Sequence, residues 1–396
     1  MAKSRKKAVE TKKSPNDIIA YRKKRKQRNN IIKLLSIGLV LVGIALIWTN
    51  AGTIFEPLRG IASKIDTRTT EDVGFPVNLP GSASYSFADF GDNFLLLTDT
   101  YLYTYTTGGG QIYALKHGYT NAVQRANDKR ILLYDKSSYD FSLYNRTSRI
   151  YDQTVDDKIV YGALSSGDLC AIVTTSPKYS NLVKVFDGSG NWKYTRKFVD
   201  ENVMQVEFTE DEKSIIVTTI GVQSGDIVCN VYKFSIDGSE SEVWKYSLVS
   251  NSIPCAIEAK GKNITVLCDN ICFTLNESDG SLMGSYAFSG TLICPVLEES
   301  FTAILVNNIS TSSTVLLTLD DEMNVMGSIS VPSNTVDVVA DGSGVYALEG
   351  EDAVSYDRNL NETGRVKLKE EYSAFLKIGG DYYLLGYDKV EKERVG

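Results

Sequence analysis

Histidine is almost missing: His117 is the single one in 396 residues. A Ser-His-Asp or Cys-His site needs an imidazole or an equivalent base, and no G-x-S-x-G or H-E-x-x-H run offers a setting for one. His117 lies in ALKHGY at the end of a strand-like run, where an exposed or capping role is expected. No segment has the calcium-loop form D-x-[DN]-x-[DN]-G-x5-E. Gly108-Gly109-Gly110 is followed by neither Lys-Ser/Thr nor a helical pattern, so it predicts a hairpin turn and not a phosphate loop. Six cysteines (Cys170, Cys229, Cys255, Cys268, Cys272, Cys294) have the wrong spacing for zinc. Most sit in apolar runs, which fits buried thiols or one or two disulfides. Cys268 and Cys272 flank Asp269-Asn270, which reads as a tight turn. No catalytic residue, cofactor-binding residue or metal ligand is assigned, and no cofactor is expected.

Charge is also absent from Leu34 to Phe55. As a helix this run would span about 33 Å, enough for a hydrocarbon core of roughly 30 Å. The residues before it hold thirteen Lys or Arg against two acids. By the positive-inside rule that leader stays in the cytoplasm, and the chain from about Ile54 onward lies outside. A cleaved signal peptide is the alternative, with Thr49-Asn50-Ala51 as its cleavage site. Both the basic leader and the apolar run are longer than such peptides carry. The expected organisation is a basic cytoplasmic tail (1–30), a transmembrane helix (31–54), an amphipathic stalk and linker (55–74) and an outer domain (75–396). The protein is thus expected in the cell membrane as a single-pass signal-anchor protein, meeting the lipid bilayer through Leu34 to Phe55, with its C-terminal domain extracellular. The remainder of the chain has 29 Lys or Arg against 47 Asp or Glu and no basic stripe, so no nucleic-acid partner is expected.

Long helical patterns are missing after residue 70. In their place come short β-branched or alternating runs such as FLLLTD, YLYTYT, RILLYD, LCAIVTT, SIIVTTI and TVLLTL, separated by Gly, Asp, Asn and Ser. This predicts an all-β domain. The runs repeat in units starting near Ala83, Asn121, Lys158, Asn202, Ser252, Thr291, Asn334 and Tyr372, a step of about 41 residues, the length of a four-stranded propeller blade. Asp187-Gly188, Asp237-Gly238 and Asp279-Gly280 fall at one place in successive units, between the third and fourth strands. Gly there supplies a positive φ without steric cost. Asp341-Gly342 serves an earlier turn of its unit. The last unit has only three strands before Gly396, and an open edge is a liability. FPVNL (Phe75 to Leu79) is the expected fourth strand, closing an eight-bladed β-propeller; seven blades is the alternative.

These Asp-Gly hairpins and aromatic fourth strands (NWKYTRKF, EVWKYSLV, SLMGSYAF) resemble the repeats of quinoprotein-like and envelope-scaffold propellers. The whole layout is similar to an uncharacterised family of single-pass, membrane-anchored β-propellers from clostridia-type Gram-positive bacteria, a domain of unknown function. The tryptophan-docking pattern Ala-x-Asp-x-x-Thr-Gly-x-x-x-Trp of quinone-binding propellers is absent. Its nearest piece, Asn276 to Gly280, has no Trp after it. The resemblance therefore implies a fold and carries no quinone and no site residues.

The remaining candidates are few. Asp156-Asp157, Glu298-Glu299, Asp320-Asp321-Glu322 and Glu370-Glu371 are expected at turns as solvated charge. A glycosidase would need two such acids facing one cleft about 5–9 Å apart. Tyr101, Tyr103 and Tyr105 share a strand face, either as a sugar- or peptide-binding ladder or as packing between blades, and Tyr382 and Tyr383 add to the tyrosine content. The expected function is a non-enzymatic binding or scaffold module for an envelope protein or cell-wall ligand. The alternative is an extracytoplasmic carbohydrate-active hydrolase or lyase using channel carboxylates. Channel acids with raised pKa values would favour the latter.

Overall fold

The computed structural model describes residues 73–237, 242–308 and 313–394. The tail and transmembrane helix expected over residues 1–54 lie outside the described residues, as does nearly all of the stalk. Every regular element among the described residues is a strand. The strands form eight antiparallel sheets of four, so the seven-bladed alternative is discarded. Seven blades are continuous in sequence, over residues 86–116, 122–154, 159–198, 202–249, 254–287, 291–331 and 335–367. The eighth joins residues 374–394 to Val77–Asn78.

The first strand of each blade is its innermost: Ser86–Phe90, Ala122–Ala126, Ile159–Leu164, Asn202–Phe208, Pro254–Lys260, Thr291–Glu298, Thr335–Asp341 and Ala374–Ile378. Each neighbours the first strand of the next blade, and the last neighbours that of blade 1. The ring is therefore closed around a central channel. All eight inner strands run the same way, from a start rim to an end rim. Second strands such as Asn93–Leu97, Ile131–Asp135, Cys170–Thr174 and Gly344–Glu349 are buried along their whole length. Blades cover both of their faces, which is why they read as unbroken apolar runs. Fourth strands such as Arg149–Thr154 and Glu362–Lys367 alternate between exposed and half-buried positions at the perimeter.

FPVNL closes the ring as expected. Val77 pairs with Val390 and Asn78 with Lys389, and the Leu79 amide donates to the Asp388 carbonyl at 2.8 Å. Phe75 packs its ring 5.7 Å from Tyr383 and 6.3 Å from Phe94. The tyrosine ladder belongs to this seam. Tyr105 is buried with Phe94 and Leu96 of blade 1 against Tyr383, Leu385 and Val390 of blade 8, while Tyr103 stacks on it at 6.1 Å. Packing between blades is thus the role the structure gives it. Tyr382 points to the opposite face, into the core shared with blade 7.

At the end rim, the described hairpins between third and fourth strands, those of blades 1 to 3 and 5 to 7, dock on the preceding blade. Asp187, Asp320 and Asp357 build one turn three times, each carboxylate accepting the amides two and four residues on. The turn needs a positive φ three residues after its Asp, taken at Gly190 (83°) and not, as expected, at Gly188; Gly280 (71°) takes it in the related blade 5 turn begun by Asn276, and Met323 (63°) and Leu360 (63°) take it in theirs. The two larger residues are 4% exposed, so burial of their side chains offsets the backbone strain. A Cβ on Gly284 would collide with the Glu322 carbonyl of the next blade, and one on Gly327 with that of Asn359. Between blades 4 and 5 a tryptophan docks despite the missing pattern. The Trp244 ring lies where a Cβ on Gly280 would be, and its Nε1 donates to the Glu277 carbonyl at 3.0 Å.

Candidate functional site

The start rim of the channel is shaped by a repeated irregularity. Between first and second strands the register slips by one residue in blades 3 to 7. The extra residues are Val160, Met204, Cys255, Ile293 and Val336. Blades 1, 2 and 8 pair without a slip. A bulge leaves its extra residue outside the ladder and re-aims the side chains around it. The result is a crescent of apolar side chains at the same level on five neighbouring blades. Ile293 is 39% exposed and Val336 47%; Cys255 is exposed, and Val160 and Met204 are half-buried.

One end of the crescent opens into a cleft of about 480 Å³ across blades 2, 3 and 4. Val123, Val160, Val203 and Met204 form its apolar wall, and Tyr134, Tyr161 and Gln205 add polar tips. The bulges explain why consecutive residues such as Val160 and Tyr161 face the same space. Two cations complete the lining, Arg125 on the inner strand of blade 2 and Lys136 just after the second strand. The Arg125 guanidinium sits 5.4 Å over the Tyr161 ring and donates a hydrogen bond to the Tyr161 hydroxyl. It also donates to the neighbouring Gln124 carbonyl at 3.2 Å, and its charge reaches the Glu207 carboxyl deeper in the channel. No carboxylate lines the cleft.

Toward the end rim the inner strands carry charge instead. Glu207, Glu258, Lys260, Glu298, Asp341 and Lys377 come from blades 4 to 8 in succession. Burial raises the Glu207 carboxyl from its ordinary value to about 8, with the Glu258 carboxylate adding to the rise. Its surface remains partly open to the channel. Lys260 pairs with Glu258 at 2.8 Å. Burial opposes the Lys260 charge, but that carboxylate more than offsets it and raises the ammonium pKa. Burial also raises Glu298, helped by Asp341 and Glu258 and opposed by Lys260. For Asp341 burial works upward, yet the hydrogen bond from Lys377 prevails and holds the carboxyl at about 2. A second cleft of about 440 Å³ on this rim is lined by Glu210, Asp211 and Glu277. These acids are engaged locally: Asp211 accepts the Thr209 hydroxyl and Lys213 amide, and Glu277 pairs with Lys233.

The residues singled out in the sequence do not assemble into a catalytic centre. His117 is buried, not exposed, and its Nε2 donates to the Thr98 carbonyl at 3.1 Å, tying the end of its strand to the preceding hairpin. Asp156 pairs with Lys184 at 3.4 Å and Glu370 with Lys389 at 3.4 Å. Glu298 was expected at a turn but ends the inner strand of blade 6, because the apolar run before it continues straight to the rim. All six thiols are free, with Cys170, Cys229, Cys268 and Cys272 buried. Arg125, Lys136, Glu207 and Glu258 had not been singled out. The available signal was a charged residue inside an otherwise apolar first strand, as in AVQRA, NVMQVEF and PCAIEAK.

Residues 75–394 match a family of unknown function (DUF5711). The chain belongs to that family. No curated protein sequence matches it. Among solved structures, BamB from Moraxella catarrhalis is similar with a TM-score of 0.55 at 9% identity, over 80% of this chain and 99% of that one. The dihydro-heme d1 dehydrogenase NirN in complex with DHE has a TM-score of 0.57 at 11% identity, over 80% of this chain and 76% of that one. The C-terminal WD40 domain of Sif2 has a TM-score of 0.58 at 9% identity, over 81% and 97%. Likeness at this level of identity shows the propeller fold alone.

Proposed function

We propose that this chain is a membrane-tethered, extracytoplasmic propeller that binds an envelope protein or cell-wall ligand at the start rim without chemical turnover. The observation that carries the reading is the bulged apolar crescent running into a cleft with two cations, on a ring whose opposite rim is filled by docked hairpins. The uncharged run after a basic leader supports the tether and its orientation. Loops and strand ends that converge over a propeller channel are a common place for partners. The test is photocrosslinking in intact cells from a position on the crescent, Val336, in the full-length chain. Capture of an envelope protein or wall fragment from Val336, and not from the perimeter residue Trp192, is expected. Equal or no capture from both positions would contradict the reading.

One observation favours a second reading, a carbohydrate-active hydrolase or lyase. Glu207 keeps its proton at neutral pH beside Glu258, as a general acid must. Release of reducing ends from purified wall glycan, abolished by Glu207→Gln, would establish it. Release unchanged in that variant would remove it.

A further inference from the structure

We infer that the start-rim cleft receives the C-terminal segment of a partner polypeptide, its carboxylate on Arg125 and Lys136 and its apolar last residues along Val160 and Met204. This rests on the binding-module reading and names its ligand. Three features converge on it. The first is charge. In a portion of the chain where acids outnumber bases, 47 to 29 beyond residue 33, two cations share a cleft that no carboxylate lines. A guanidinium offers paired N–H donors matched to a carboxylate, and Lys136 adds a point charge.

The second is the polar character of the wall. Val160 and Met204 are the residues left out of the ladder pairing by their bulges. Each bulge residue therefore stands beside the cleft with no opposing strand residue. Gln205 adds a side-chain amide there. A peptide backbone can pair with that amide. A hydrocarbon chain would cover it and leave it unpaired, at a cost. The third is continuity: the exposed track of Cys255, Ile293 and Val336 extends from the cleft around the rim. It suits apolar side chains upstream of the terminus. The cleft volume of about 480 Å³ lies within the ordinary range of ligand pockets, and capture of a terminal carboxylate is an established peptide-recognition mode.

The test uses the purified full-length chain and fluorescent octapeptides randomised at their last four positions, prepared as free acids and as C-terminal amides. Acids ending in apolar residues should bind saturably, with the matching amides at least tenfold weaker. Arg125→Gln with Lys136→Gln should erase the difference between acid and amide. Lys136→Gln alone, at an exposed position, should reduce it if the double variant does not fold. Met204→Asp should weaken apolar-ended acids. Equal binding of acids and amides would overturn the assignment, as would unchanged acid binding in a folded double variant. Decanoate competing as tightly as the best peptide would also overturn it, in favour of a fatty acid. If peptides fail while Val336 still captures an envelope partner in cells, the ligand assignment falls and the binding-module reading stands.

Discussion

The two rims of the channel are made by the same eight strands and have opposite chemistry. The end rim is tied together: hairpins dock on the preceding blade over Gly284, Gly327 and Trp244, while Lys260 pairs with Glu258 on its own strand and Lys377 with Asp341 of the neighbouring blade. The start rim is open: five bulges lift apolar side chains out of register, and two cations line a cleft to which no carboxylate contributes. The difference teaches where this fold stores stability and where it leaves surface free. Side chains that hold blades together are matched to a neighbour, and those at the start rim are not.

The sharpest way to break the comparison is Gly284→Ala. Its Cβ has no room against the Glu322 carbonyl, so a loss on the order of 3 kcal/mol or more is expected in denaturant unfolding. Loss below about 0.5 kcal/mol would mean the docked hairpin yields freely. Next is Glu207→Gln. The folded carboxyl titrates near 8 and the unfolded one near its ordinary value. The folded state therefore holds the extra proton, and wild-type stability falls as pH rises between those values. The variant should match wild type in acid and exceed it by roughly 2 kcal/mol above pH 8, less than the full rise implies because the carboxyl partly faces channel water.

A smaller effect is expected from Lys377→Met, which removes the partner that depresses Asp341. A depressed carboxyl stabilises above its unfolded pKa, and that contribution disappears as pH falls toward 2. The variant should lose under about 1 kcal/mol at neutral pH, since Asp341 is well exposed, and nothing in strong acid. The smallest effect belongs to the start rim. Val336→Ser should change stability by no more than about 0.5 kcal/mol while reducing partner capture; a large destabilisation would show that the crescent is core and not a docking surface.

Much of the ring was legible from residue pattern alone. Expected unit starts such as Asn202 and Thr291 coincide with the first residues of inner strands, and others fall within three residues of them. FPVNL could be assigned to the last blade because three strands left an edge needing a partner. The bulges were not legible. In TLIC or PCAI an added apolar residue does not interrupt the run, so a slip of register leaves no mark on the sequence. Trp244 docking on Gly280 escaped because the contact joins blades 36 residues apart with a local motif unlike the expected one. Arg125 and Lys136 escaped because they stand on the two strands of one hairpin, Arg125 opposite Leu132 and Lys136 beside Asn121, and line a common cleft only in the folded blade.

Cys255 offers the most direct test of the whole account, because of the six thiols it alone is exposed and it stands on the start-rim crescent. A membrane-impermeant maleimide applied to intact cells should label the full-length chain once, and Cys255→Ser should abolish that label. Labelling that appears only after lysis would place the ring on the cytoplasmic side and contradict the account, and labelling of several cysteines in the native protein would contradict the closed ring itself.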